Sequence, residues 1–216
     1  MLAYTARITR VVDHGHETRS LFVERPPAFA WLPGQFVSCQ LPIGDQVVTK
    51  PYTIASTATG GRDLEFLFNR VPDGLASSYL FTRAVGDTLA FTGPWGTFTF
   101  DQPAMAPTVF IAAGTGIAAI RPLLHAAATT PTHALDLLYA TAHPLYYHEL
   151  AALPGVTAAL VDEPALLATV TARWIDADTD RTRHFYVCGV GPVILTLRDL
   201  LRGAGYARRA VHYEKW

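Results

Sequence analysis

Cysteine is nearly absent from this chain. Cys39 and Cys188 are the only two among 216 residues, too few for a disulfide framework, a four-cysteine zinc site or an iron–sulfur cluster. Any such cluster would have to reside on another polypeptide. An excess of charge of one sign is missing too: 17 Lys and Arg face 18 Asp and Glu, and the basic residues are scattered. With a net charge of −1 there is no electrostatic footprint for nucleic acid or an anionic membrane. No apolar run approaches a membrane span, and Met1-Leu2-Ala3-Tyr4-Thr5-Ala6-Arg7 lacks the charged start and apolar stretch of a signal peptide. The expectation is a cytoplasmic chain with neither nucleic acid nor membrane as partner. Eight histidines raise the question of metal, but His148-Glu149-Leu150-Ala151-Ala152 lacks the second His of a zincin helix. His14, His16, His143 and His148 read as solvated surface residues, with no metal site. A serine hydrolase is disfavoured by the lack of a Gly-x-Ser-x-Gly elbow.

What is present divides in two. The chain is half hydrophobic, enough for one large or two modest domains. Up to residue 100 short alternating runs (residues 3–12, 18–24, 35–41, 46–55, 64–71 and 88–92) are broken by Pro33-Gly34, Gly60-Gly61 and Gly86-Asp87. That spacing predicts an antiparallel β-barrel or sandwich, with one short helix over residues 76–83 on its rim. Residues 101–107 hold two prolines and no periodicity, which puts a boundary there and gives domains 1–102 and 103–216. Beyond it, apolar runs at 108–113, 135–140, 156–161, 184–187 and 209–213 alternate with helical patterns at 117–128, 146–153, 164–172 and 192–202. Such alternation predicts an α/β domain with a parallel sheet.

Four stretches carry chemistry. In Lys50-Pro51-Tyr52-Thr53-Ile54-Ala55-Ser56 a stiffened strand end sets an aromatic ring and a hydroxyl beside one flat ligand, or is a bare strand end with an exposed Tyr. In Asp73-Gly74-Leu75-Ala76-Ser77-Ser78 a turn enters a helix, either as an anion site or as an ordinary start capped by Ser77. Val109 to Ala113 followed by Gly114-Thr115-Gly116-Ile117-Ala118-Ala119 is a strand, glycine turn and helix start suited to a pyrophosphate. No carboxylate for a ribose follows the second strand, which ends Tyr139-Ala140-Thr141. In Tyr186-Val187-Cys188-Gly189-Val190-Gly191-Pro192 the Cys stands at the carboxyl end of a strand, where such sheets bind ligands, or is a small buried residue before a turn. The chain closes on Val211-His212-Tyr213-Glu214-Lys215-Trp216, whose Trp needs a surface to stack on.

Lys-Pro-Tyr-Thr, Gly-Leu-Ala-Ser, Gly-Thr-Gly-Ile-Ala and Cys-Gly-Val-Gly before a terminal aromatic, in this order, resemble the ferredoxin-NADP reductase family over nearly the whole chain. The resemblance implies an FAD-binding β-barrel at 1–102 and an NAD(P)-binding domain at 103–216. Hydride would pass from NAD(P)H to flavin, and single electrons would go on to a ferredoxin, a flavodoxin or an oxygenase component. A reductase of diffusible flavin and a non-catalytic electron-transfer subunit are the alternatives. By that resemblance Tyr52 packs on the isoalloxazine and Thr53 faces flavin N5. Gly74, Leu75, Ala76 and Ser77 cradle the flavin pyrophosphate, and Trp216 covers the other flavin face. Gly114, Thr115 and Gly116 form the nicotinamide-dinucleotide loop, Thr141 borders the adenosine end, and Cys188, Gly189 and Glu214 line the nicotinamide pocket. Two positions depart from the family. Lys50 stands where Arg is usual, a point charge in place of a bidentate fork on phosphate, which implies looser FAD or FMN. Asp162 and Glu163 stand where NADPH-selecting members offer Arg or Ser, which leans the choice to NADH unless Arg173, Arg181 or Arg183 folds over a 2′-phosphate.

Overall fold

A computed structural model describes residues 3–57, 61–100 and 106–216. The chain forms two compact units, Met1–Thr99 and Phe100–Trp216. Of the expected linker at 101–107, residues 101–105 lie outside the described residues, as does Gly60 of the Gly-Gly turn.

The first unit is a six-stranded antiparallel sheet in the order β4-β3-β6-β1-β2-β5. Its strands are β1 Ala3–Gly15, β2 Thr18–Glu24, β3 Phe36–Ile43, β4 Gln46–Thr53, β5 Asp63–Asn69 and β6 Thr88–Trp95, with helix α1 at Leu75–Phe81. Alternation makes the inner face: Ala6 and Ile8 of β1, then Val37, Cys39 and Leu41 of β3, point into a core completed by Phe29, Phe66 and Phe91. β5 departs from simple alternation, since Leu64 to Phe68 are all buried. Glu65 is therefore enclosed at 4% exposure, and the fully buried Ser20 hydroxyl donates to its Oε1 at 2.7 Å. His14 Nε2 lies 2.9 Å from the same Ser20 Oγ. His14 is thus half-buried and not solvated as expected; His16, His143 and His148 are exposed.

The second unit is a five-stranded parallel sheet in the order β11-β10-β7-β8-β9. Its strands are β7 Thr108–Ala113, β8 Leu135–Ala140, β9 Val156–Val161, β10 His184–Gly189 and β11 Val211–Lys215. Helices α2 Ile117–Thr129, α3 Tyr147–Ala151, α4 Leu166–Val170 and α5 Val193–Gly203 connect them. β7 is buried at all six positions, as a central strand covered on both faces must be. Val109, Ile111, Leu138, Phe185 and Val187 meet Ile194, Leu197 and Leu201 of α5 on one face. The helix expected over 164–172 is broken into a 3₁₀ turn Glu163–Ala165, α4, and a π turn Thr171–Ile175. The π turn turns the Trp174 carbonyl toward the Tyr206 hydroxyl, which donates to it at 3.1 Å.

Candidate functional site

β4 is an edge strand, where Pro51 removes no interior ladder bond. Along it Lys50 and Pro51 are exposed, Tyr52 is half-buried and Thr53 is buried. The Tyr52 ring is met edge-on by Phe68, centroids 5.6 Å apart at 72°, and burial, then nearby Cys39, pushes its hydroxyl well above the usual phenol range. The next residues are held by β5: Ala55 N donates to Glu65 O at 2.8 Å, and Glu65 N donates to Ser56 Oγ at 2.5 Å. Glu65 thus braces the end of this wall from behind.

At the start of α1 the cap is Gly74, without a side-chain hydrogen bond, so the alternative of an ordinary start capped by Ser77 is not the one formed. Ser77 sits one turn in, buried. Its Oγ accepts from Val71 N at 3.0 Å and donates to Gly74 O at 3.2 Å. A Cβ on Gly74 would lie 2.8 Å from Ser77 Oγ and 2.9 Å from Val71 Cβ, so glycine is required by the tightness of the turn. Ser77 therefore builds the turn itself. Val71 and Leu75 flank it at 52% and 66% exposure, apolar surface suited to an aromatic ligand. These residues fit a flavin nucleotide: ring wall, tight turn and uncovered apolar flank lie in one unit.

In the second unit Gly114, Thr115 and Gly116 form a 3₁₀ turn between β7 and α2. The glycines differ in their work. Gly114 has φ +55 with open space around it, whereas a Cβ on Gly116 would fall 2.1 Å from the Cys188 carbonyl oxygen. Gly116 is therefore a backbone contact with β10, and Gly114 is the glycine with room beside it. Cys188 and Glu214 are register partners across β10 and β11, and Trp216 N donates to Gly189 O at 3.0 Å, extending the ladder by one residue. Burial pushes the Cys188 thiol far up, reinforced by the Glu214 charge and opposed by a side-chain hydrogen bond with Trp216. Burial also raises Glu214 to about 7; its Oε2 is enclosed with no hydrogen-bond partner. Gly116, Cys188, Gly189, Glu214 and Trp216 thus converge at the carboxyl edge of the sheet, the ligand edge of such folds. An enclosed, unpartnered carboxyl oxygen and a turn with room for a phosphate fit a nicotinamide dinucleotide.

Thr141 stands apart, at the end of β8. Its hydroxyl is spent on its own turn, accepting from His143 N at 3.0 Å and donating to His143 O at 3.2 Å. Beneath it, burial pushes the Tyr139 hydroxyl up to about 12. Asp162 and Glu163 are exposed after β9. The three arginines do not fold over them. Arg173 and Arg183 reach Asp136 at 3.8 and 3.7 Å, on the second residue of β8 at the opposite, amino edge. Arg181 donates to the carbonyls of Trp174, Ala204 and Asp178. Arg121, Tyr146 and Glu149, which gather beside the Thr141 turn, carry no local motif; only helical spacing on two separate segments could have suggested them. Among the described residues no group of three or more His, Cys, Asp or Glu could hold a metal, and no helix is long and apolar enough to cross a membrane.

Known proteins place this geometry. The oxidoreductase FAD-binding domain family matches residues 6–100, the first unit. Ferredoxin–NADP reductase B of Sorangium cellulosum is 30% identical over 237 residues, covering 99% of this chain and 97% of that protein. The toluate 1,2-dioxygenase electron transfer component of Pseudomonas putida is 27% identical, covering 99% of this chain and 67% of its own length. The crystal structure of a cytochrome P450 reductase from Amycolatopsis superposes with a TM-score of 0.85 at 26% identity, over 99% of this chain and 69% of that one. With both units and nearly the full length of a reductase matched, the chain belongs to the ferredoxin-NADP reductase family.

Proposed function

We propose that this chain takes hydride from NAD(P)H onto FAD and passes the electrons to a separate protein acceptor, a ferredoxin, a flavodoxin or an oxygenase component. The observation that carries the reading is the convergence of Gly116, Cys188, Gly189, Glu214 and Trp216 at one sheet edge, in a chain whose other unit matches an FAD-binding domain. Bound FAD supplies the conversion of a two-electron donor into single electrons. The remaining roles fall to the chain's own residues. Tyr52 offers its ring to the isoalloxazine and Thr53 its hydroxyl near N5; Lys50 supplies a charge for phosphate, and Gly74, Leu75, Ala76 and Ser77 present the backbone turn to the pyrophosphate. Gly114, Thr115 and Gly116 hold the dinucleotide, Cys188 and Gly189 shape the nicotinamide pocket, Glu214 holds a proton there, and Trp216 offers its ring beside them. Residues 1–102 would carry the flavin and residues 103–216 the nicotinamide nucleotide.

NADH is the proposed donor. Asp162 and Glu163 are exposed where a 2′-phosphate would approach, and Arg173 and Arg183 are committed to Asp136. Free Cys39 and Cys188 suit a cytoplasmic setting, where thiols stay reduced. Gel filtration followed by identification of the released flavin tests the assignment. A yellow protein that yields FAD supports it. FMN in its place would revise the cofactor, and a colourless protein that turns over added flavin would favour a diffusible-flavin reductase.

A further inference from the structure

Tyr146 is a non-glycine residue at φ 59, in the left-handed region where a bulky L side chain is strained by about 1 kcal/mol or more. It precedes α3, in the turn that leaves the carboxyl end of β8. Such strain persists only where neighbours over-determine the backbone, and here the neighbours can be named. Arg121 of α2 lays its guanidinium over the Tyr146 ring, Cζ 4.3 Å from the centroid. The same side chain donates from Nε to Glu149 Oε1 at 2.8 Å. One helical turn on, His125 Nε2 reaches that oxygen at 2.6 Å, and Leu150 N donates to Tyr146 O at 2.9 Å. The rest of the turn is closed on itself by Thr141 and by Leu145 N, which donates to His143 O at 2.9 Å.

α2 is also the helix that begins at the Gly114–Gly116 turn. Arg121 therefore joins two loops that leave neighbouring strands on one edge of the sheet. In parallel sheets the first such loop meets the pyrophosphate and the end of the second strand meets the adenosine ribose. We propose that Arg121, oriented by Glu149 and laid on Tyr146, is a positioning residue that locks residues 141–146 to the helix of the glycine loop, so that NAD(P)H meets one pre-set surface. The inference rests on the reading of this unit as the nicotinamide-nucleotide unit. It assigns Arg121 no contact with the reacting atoms. Its removal frees the turn, and binding must then order it again.

Anaerobic stopped-flow reduction of the flavin, across a concentration series of NADH and of NADPH, tests this on the full chain. Arg121→Ala should raise the half-saturating concentration about tenfold, with the limiting rate within about twofold of the parent. Arg121→Lys, which keeps a cation for both Glu149 and the ring, should recover part of the loss. Tyr146→Asn tolerates the left-handed backbone but removes the ring; it should raise half-saturation severalfold and decides the matter if Arg121→Ala does not fold. Unchanged half-saturation in Tyr146→Asn and in any folded Arg121→Ala overturns the proposal, as does a loss confined to the limiting rate. A parent protein that neither nucleotide reduces sinks the reading of the unit and this inference with it; a reduced parent with unaffected variants sinks this inference alone.

Discussion

Cys188 and Glu214 face each other as register partners of adjacent parallel strands, so a buried thiol and a carboxyl share one face of the sheet. Burial holds the carboxyl near 7 against an ordinary 4.5. The folded chain therefore keeps a proton that the unfolded chain releases between those values. This contribution to stability is full below about pH 4.5, falls as pH rises, and levels off above about 7. Glu214→Gln should flatten that decline, with a gain on the order of 1–2 kcal/mol at pH 8. Denaturation midpoints of parent and variant between pH 5 and 8 measure it.

Gly116 and Gly203 separate the two demands made on glycine. A Cβ on Gly116 meets the Cys188 carbonyl at 2.1 Å, whereas at Gly203 nothing lies within 4 Å. Gly116→Ala must move backbone against backbone and should destabilise by about 3 kcal/mol or more. Gly203→Ala, at the end of α5, should stabilise by about 0.5 kcal/mol. Thermal unfolding of the two variants gives the comparison.

Lys50 is exposed on the edge strand that carries Tyr52. A guanidinium there would grip phosphate in two places where an ammonium is a single charge. Lys50→Arg should tighten FAD by roughly fivefold to tenfold, near 1 kcal/mol. Titration of flavin into the apoprotein reads the change.

The fully buried Ser20 donates to Glu65, itself 4% exposed. Ser20→Ala takes one donor from an enclosed carboxyl and should cost about 2 kcal/mol. Because Glu65 N also holds Ser56, the loss should loosen flavin retention as well. Chemical denaturation and flavin release on dilution check the two effects.

Legibility in the sequence followed the range of the interactions. β7 Thr108–Ala113, β8 Leu135–Ala140 and β9 Val156–Val161 have the bounds expected from their apolar runs; β7 and β8 are interior strands that write burial into nearly every residue, whereas β9, at the edge, has no fully buried position and is legible from its apolar run alone. The order of the motifs identified the family. What local pattern could not show is how hydroxyls and glycines are spent. Ser77 and Thr141 read as groups for a ligand, yet each closes its own turn, and Gly116 answers to β10. Glu65 with Ser20, and Arg121 with Glu149, are contacts 45 and 28 residues apart, and spacing within one segment says nothing of a partner on another. The break of the helix at Thr171–Ile175 was hidden for the same reason: the Trp174 carbonyl answers to Tyr206, 32 residues away.

The central claim is that NAD(P)H reduces a flavin bound to this chain, and anaerobic mixing of the flavin-loaded protein with NADH and with NADPH tests it most directly. The account predicts rapid bleaching of the flavin absorption band, faster at low concentration with NADH than with NADPH. A band that persists with both nucleotides would contradict it.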